Sequence, residues 1–285
     1  MSQTSIGLLI EAEKLAAVAD AIGQTFAREL AAVLRDLERE LRRLASAALD
    51  GRQGPLARAV RAARLRRQIA QALRDAGFHQ LAESSTSVGL DRLLAQVEKL
   101  RGAARLAEFT TADASRILAL KELARLDLLG QGDAISHALW RTLAHGVFSQ
   151  RPVADLLDDL ADAIDVELTE ARTLYDTTVN IFGRQVEAMK ATGKPDEVFA
   201  YLGPLDIKTR PFCYERVGKV FTREQIDAMD NKQLPNTFLT GGGYNCRHSF
   251  IAVSKVSALR KLVGTDQRMP EVEARLGDLG DRKAA

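Results

Sequence analysis

Thiol and imidazole groups are scarce in this sequence, and that scarcity makes their positions informative. Among 285 residues there are two cysteines, Cys213 and Cys246, and four histidines. Cys246 stands two positions before His248 within "GGGYNCRHSF" (Gly241–Phe250). Thiolate sulfur and imidazole nitrogen are the ligands Zn²⁺ prefers, and a structural zinc would support a small domain with a thin core. On a strand, Cys246 and His248 would share a face. Cys213 must then be brought in from upstream, and a fourth ligand is missing unless Asp206 serves. The same residues offer a second chemistry. Cys213 with His248 could form a nucleophile–base couple, whereas Cys246 and His248 lie too close along one strand unless the chain bends. No third group stands out to orient the imidazole, so an enzyme using Cys213, Cys246 and His248 ranks as the alternative reading. A disulfide between the two cysteines is geometrically open but disfavoured in a reducing compartment. The glycine run lacks the Lys-Ser or Lys-Thr of a phosphate loop and the spacing of a dinucleotide fingerprint. Its glycines read as close-approach or turn positions.

A structural role for the same segment is the more economical expectation. In "DIKTR", Asp206, Thr209 and Arg210 have turn-forming side chains able to bond backbone groups. Arg247 can pair with Asp206. "DIKTRPFC" and "YNCRH" would then be tied together by polar contacts and by two thiols packed as small hydrophobes.

A second group of candidates is electrostatic. Arg58, Arg61, Arg64, Arg66, Arg67 and Arg74 occur in a stretch with no acid between Asp50 and Asp75. Read as a helix, it stacks Leu65, Ile69 and Leu73 on one face and sets Arg64, Arg67 and Arg74 opposite. Such a face would contact nucleic-acid phosphates or an acidic partner, or be a solvated face paired with acids such as those after Ala154. The acids Asp155, Asp158, Asp159, Asp162 and Asp165 lack the glycine and closing glutamate of a calcium loop, so they read as an exposed helix face. His137 and His145 lack the i, i+4 spacing of a helical zinc pair.

The elements that must carry these groups are mostly helical. Leu8, Ala12, Leu15, Ala19, Ile22 and Phe26 alternate steps of four and three. After one extra step Leu30, Leu34, Leu37, Leu41 and Leu44 continue the seam. This predicts one helix of roughly 45 residues, on the order of 65 Å long, which needs partner helices from this chain or another copy. "DGRQGP" is a break, and the arginine helix follows to about Gly77. A further helix starts near Gly89, and the next is capped at Thr110–Thr111. "GQGD" (Gly130–Asp133) is expected to interrupt that one. Pro152 opens an acidic helix, and Thr169 begins another ending near Gly193. Beyond Gly193, strands are expected at "EVFAYL", "KVF" and "HSFIAVS", with "GPLDIKTRPFC" as loop. A capping box at Thr222–Gln225 starts a short helix. The predicted fold is mainly α, a coiled-coil-like or bundled N-terminal part followed by a small α+β module. The expected regions are 1–148 (helical), 149–192 (connecting helices), 193–254 (module of about 60 residues) and 255–285 (a weakly ordered charged tail or partner-dependent helix).

Composition points to a soluble protein. The 40 basic and 38 acidic residues leave a net charge of +2, which excludes a simple polycation. The N-terminus has no signal-peptide pattern and no stretch approaches 18 apolar residues, so no membrane partner is expected.

"LDIKTRPFCYERVGKVF" and "LPNTFLTGGGYNCRH" together resemble the C-terminal motif of phage minor head proteins of the Mu F-like group, also called head morphogenesis proteins. Asp206, Thr209, Arg210 and Cys213 match its first part. Gly218, Lys219 and Phe221 match the middle, and Asn245, Cys246, Arg247 and His248 the close. "EARTLYDTTVNIFGRQVEAMKATG" resembles the helix before the motif, with Arg172 and Thr173 at its Arg-Thr pair. The resemblance spans about residues 165–254. Many relatives read His-Pro-Asn-Cys-Arg-Cys at the close, where this chain has Gly243, Tyr244, Asn245, Cys246, Arg247 and His248. The resemblance implies a minor capsid protein acting in head morphogenesis. Its partners would be the portal, capsid or scaffold proteins, with packaged DNA a further contact. Its location would be the host cytoplasm during assembly and then the phage head.

Overall fold

The computed structural model describes residues 3–49, 55–149, 151–189, 197–253 and 256–276. The first helix, α1 (Gln3–Leu49), is a single 47-residue element. Every residue of its predicted seam, from Leu8 to Leu44, is buried. The extra step between Phe26 and Leu30 is absorbed without a break, because both residues still face the core. The arginine helix is α2 (Pro55–Asp75). The break expected at Asp50–Pro55 lies largely outside the described residues.

Three boundaries differ from expectation. Helix begins before Gly89: α3 (Phe78–Ser84) runs through a π-helical turn (Ser85–Gly89) into α4 (Leu90–Ala103). Hydroxyls loosen that turn by bonding backward, Thr86 Oγ1 to the Ala82 carbonyl (2.8 Å) and Ser87 Oγ to that of Glu83 (2.8 Å). "GQGD" does not interrupt α5, which is continuous from Thr111 to Ser149. A Cβ at Gly132 would lie 2.5 Å from the Phe78 ring, so the glycine is there for packing and its weak helix propensity is overridden. Thr169 starts no helix, because α6 is continuous over Val153–Ala188, and its hydroxyl bonds back to the Asp165 carbonyl (3.0 Å). The helix end expected near Gly193 lies outside the described residues. The cap of α5 forms at Thr110, whose amide donates to Asp113 Oδ2 (2.7 Å) while its Oγ1 accepts from the Asp113 amide (3.3 Å).

The strands β1 (Val198–Leu202), β2 (Val220–Thr222) and β3 (Ser249–Ala252) form an antiparallel sheet in the order β2-β1-β3. In register, Tyr201 faces Phe250 and Phe199 faces Phe221. All five residues of the central strand β1 are buried. Short helices fill the connections, α7 (Pro211–Arg216), α8 (Arg223–Asp227) and α9 (Thr237–Thr240), and α10 (Ser257–Arg260) follows β3. The segment read as loop thus turns helical at Pro211, a residue pre-set for the first helical position. Both arms of the capping box at Thr222 and Gln225 are present. Residues 256–276 are ordered: Met269 and Val272 are fully buried, and the Met269 amide donates to the Gly218 carbonyl (2.9 Å). The charged tail is therefore part of the module as far as Leu276, held by its few apolar residues.

The chain forms two compact units. One comprises Met1–Ile22, Val88–Lys121 and Asp176–Ala285, and includes the sheet. The other comprises Gly23–Ser87 and Glu122–Tyr175, and is helical, with Phe26 stacked on Tyr175 at 4.0 Å. Among the described residues no helix is long and apolar enough to cross a membrane.

Candidate metal centre

Cys213, Cys246 and His248 come together within the sheet-bearing unit. One ligand atom from each lies within 4.8 Å of the others, and the three residues are 2–3% exposed. Helix α7 supplies Cys213. The glycine turn before β3 supplies Cys246, and the residue just before β3 supplies His248. Both cysteines are free, with their sulfurs 3.7 Å apart. Two thiolates bound to one tetrahedral zinc at ~2.3 Å would stand about 3.8 Å apart, so the pair already spans that edge. His248 Nε2 is buried without a hydrogen-bond partner among the described residues, an orphan that a ligand would satisfy. The group could hold a metal ion.

The thiols are electrostatically unequal. Cys246 is held well below the usual thiol range, first by accepting from the Cys213 thiol and then by His248 and the Arg184 charge, against the cost of burial. Cys213 is pushed up by the same hydrogen bond and by burial. The Gly242 amide also donates to Cys246 Sγ (3.0 Å). A Cβ at Gly242 would lie 2.5 Å from Cys213 Sγ and 3.4 Å from Cys246 Sγ. The middle glycine of the run therefore lets backbone pass against both sulfurs, which explains its identity without any phosphate.

Asp206 is not a fourth ligand. Arg247 holds both of its carboxylate oxygens, Nη1 to Oδ2 and Nη2 to Oδ1, each at 2.7 Å. This is the pairing expected from the sequence, and it keeps the Asp206 carboxyl below its ordinary range. Arg247 also lies 3.5 Å from Asp20 of α1. Thr209 shapes the turn: its hydroxyl donates to the Pro204 carbonyl (3.1 Å) and accepts from the Asp206 amide (3.0 Å). Arg210 ties that turn to the glycine run, donating to the carbonyls of Gly242 (3.0 Å) and Tyr244 and to Gln233 Oε1 (2.8 Å).

Three further residues build the junction, and the motifs in the sequence do not single them out. Arg184 of α6 is buried and donates to the carbonyls of His248 (2.9 Å), Leu239 (3.2 Å) and Cys246. Glu187, one turn later, accepts from the amide of Ala252 in β3 (3.4 Å). Burial pushes its carboxyl up to about 7, with Arg101 pulling back and Glu197 adding to the rise. Tyr201 of β1 places its hydroxyl 3.3 Å from Cys213 Sγ and 3.5 Å from Cys246 Sγ. Arg184 and Glu187 share their helix face with Thr177 and Asn180, so periodicity does not mark them as buried. Tyr201 gave no signal, because it reads as one more apolar strand residue.

The arginine group lies in the other unit. Arg61 Nη1 donates to the carbonyls of Ala47 (2.8 Å) and Ala48 (2.6 Å) near the end of α1, and Arg74 donates to Gln71 (2.7 Å). Arg66 lies over the Trp140 ring at 5.7 Å. Arg58 has a buried Nε with no hydrogen-bond partner among the described residues. Arg64 and Arg67 are exposed and make no ion pair among the described residues. No family model matches the chain, and no curated protein or solved structure matches it.

Proposed function

We propose that this chain is a phage minor head protein that acts in head morphogenesis, with a C-terminal module closed around a structural zinc ion. One observation carries the reading: Asp206, Arg210, Cys213, Cys246, Arg247 and His248, on which much of the resemblance rests, converge on one junction. Asp206 meets Arg247 across 41 positions, and Cys213 meets Cys246 across 33. That arrangement suits a fold-closing knot better than a catalytic cleft, since both sulfurs are too buried to meet a substrate. Zinc held by Cys213, Cys246 and His248 would tie α7 to the turn before β3 and so stabilise the three-stranded module. The helical part then supplies contacts to the portal, capsid or scaffold, and α2 supplies a contact to packaged DNA. The test is to follow the tagged chain through head assembly in infected cells, with elemental analysis of the purified protein. Co-migration with portal or heads and about one zinc per chain are expected. Absence from every assembly intermediate would overturn the head reading, and a metal-free chain would overturn the zinc.

A further inference from the structure

We infer that Tyr201 is the fourth ligand of the metal centre, its Oη completing a tetrahedron with Cys213 Sγ, Cys246 Sγ and a ring nitrogen of His248. The inference rests on the zinc reading above and extends it to a residue type outside the usual Cys/His set. Zinc bound to a sulfur at ~2.3 Å and an oxygen at ~2.0 Å sets the two about 3.5 Å apart at the tetrahedral angle. The observed separations from Tyr201 Oη are 3.3 Å and 3.5 Å, beside the 3.7 Å sulfur–sulfur edge. Three edges of the expected tetrahedron are thus in place.

Tyr201 is fully buried, and among the described residues the two sulfurs are the hydrogen-bond partners of its hydroxyl. Its ring stacks on the His248 ring, with centroids 5.4 Å apart and planes 19° apart, so the two ligand-bearing rings hold each other in place. Asp206, the other oxygen candidate, is occupied by Arg247. Charge also balances. Two thiolates and a phenolate on Zn²⁺ leave one net negative charge, and the buried Arg184 guanidinium donates to the Cys246 carbonyl beside it. Binding sends the phenol proton and the protons of both thiols to solvent, with no redox change.

The experiment titrates Zn²⁺ into the full chain, stripped of metal by chelation, near pH 7. Zinc binding and the near-ultraviolet difference spectrum of tyrosine ionisation are followed together. The expected result is about one tyrosinate per zinc bound in the wild type, absent in Tyr201→Phe, whose zinc affinity falls by roughly 10–100-fold. One-to-one zinc binding with no tyrosinate signal would overturn Tyr201 as a ligand and leave the Cys213–Cys246–His248 site standing. No zinc binding by the wild type would overturn both. If Tyr201→Phe fails to fold, the wild-type spectrum alone decides.

Discussion

At the scale of single residues, the junction is governed by how closely backbone can approach sulfur. Gly242 passes where any Cβ would press on Cys213 Sγ at 2.5 Å, and its own amide donates to Cys246. Gly242→Ala must therefore push a thiol aside or displace the turn that Arg210 staples. A loss of ~1–3 kcal/mol is expected from overpacking of this kind, with loss of bound zinc. Chemical denaturation and metal content of the variant measure both effects, and an alanine tolerated without change in either would refute this role for the glycine. The Cys213/Cys246/His248 grouping and the Asp206–Arg247 pair were legible in the sequence, because rare residue types and opposite charges single themselves out. Tyr201 and Arg184 were not. Their roles depend on which strand edge and helix face meet, and neither periodicity nor composition carries that information.

At the scale of elements, the last turns of α6 do for β3 what a fourth strand would do. Edge strands need their outward amides and carbonyls satisfied or shielded. Arg184 donates to the carbonyls of Cys246 and His248 at one end, and Glu187 accepts from Ala252 at the other. The Glu187 carboxyl is fully enclosed, with Arg101 and Glu197 as the charged groups that act on it, and burial raises its folded pKa to about 7, above the ordinary carboxylate value. A group whose folded pKa is raised contributes most below its unfolded pKa and loses that contribution as pH rises through the folded value. Stability should thus fall by about 3 kcal/mol between roughly pH 4.5 and 7 through this residue. Glu187→Gln should flatten that slope in urea midpoints measured across the range, and an unchanged slope would remove Glu187 as its source. The long helices show why sequence boundaries were uneven. The seam of α1 was readable because an apolar residue recurs every three or four positions over its whole length. The expected interruption at Gly130–Asp133 and the expected helix start at Thr169 failed because both judged local propensity alone. Phe78 needs the space at Gly132, and the Thr169 hydroxyl finds its acceptor within the helix.

At the scale of the whole molecule, the near-balance of 40 basic and 38 acidic residues hides an uneven distribution. Three surface arginines of α1 pair with acids three or four positions away, Arg39 with Asp36, Arg42 with Glu38 and Arg43 with Glu40. Helix α2 has no acids before Asp75 to offer such partners. Its arginines serve different ends. Arg61 satisfies carbonyls near the end of α1, Arg66 covers Trp140, and Arg74 meets Gln71. Arg64 and Arg67 remain exposed without ion pairs among the described residues, so they are the ones left to neutralise phosphate. The proposed DNA contact therefore predicts an affinity for duplex that falls linearly on a log–log plot against salt. Arg64→Ala with Arg67→Ala should reduce that slope by roughly 2, about one for each phosphate no longer neutralised, whatever the DNA sequence. Arg61→Ala should act differently, lowering thermal stability because the α1 carbonyls lose a donor, while leaving the slope to Arg64 and Arg67. Binding that ignores salt, or a slope unchanged in the double variant, would take DNA away from this helix and leave an acidic protein surface as its partner.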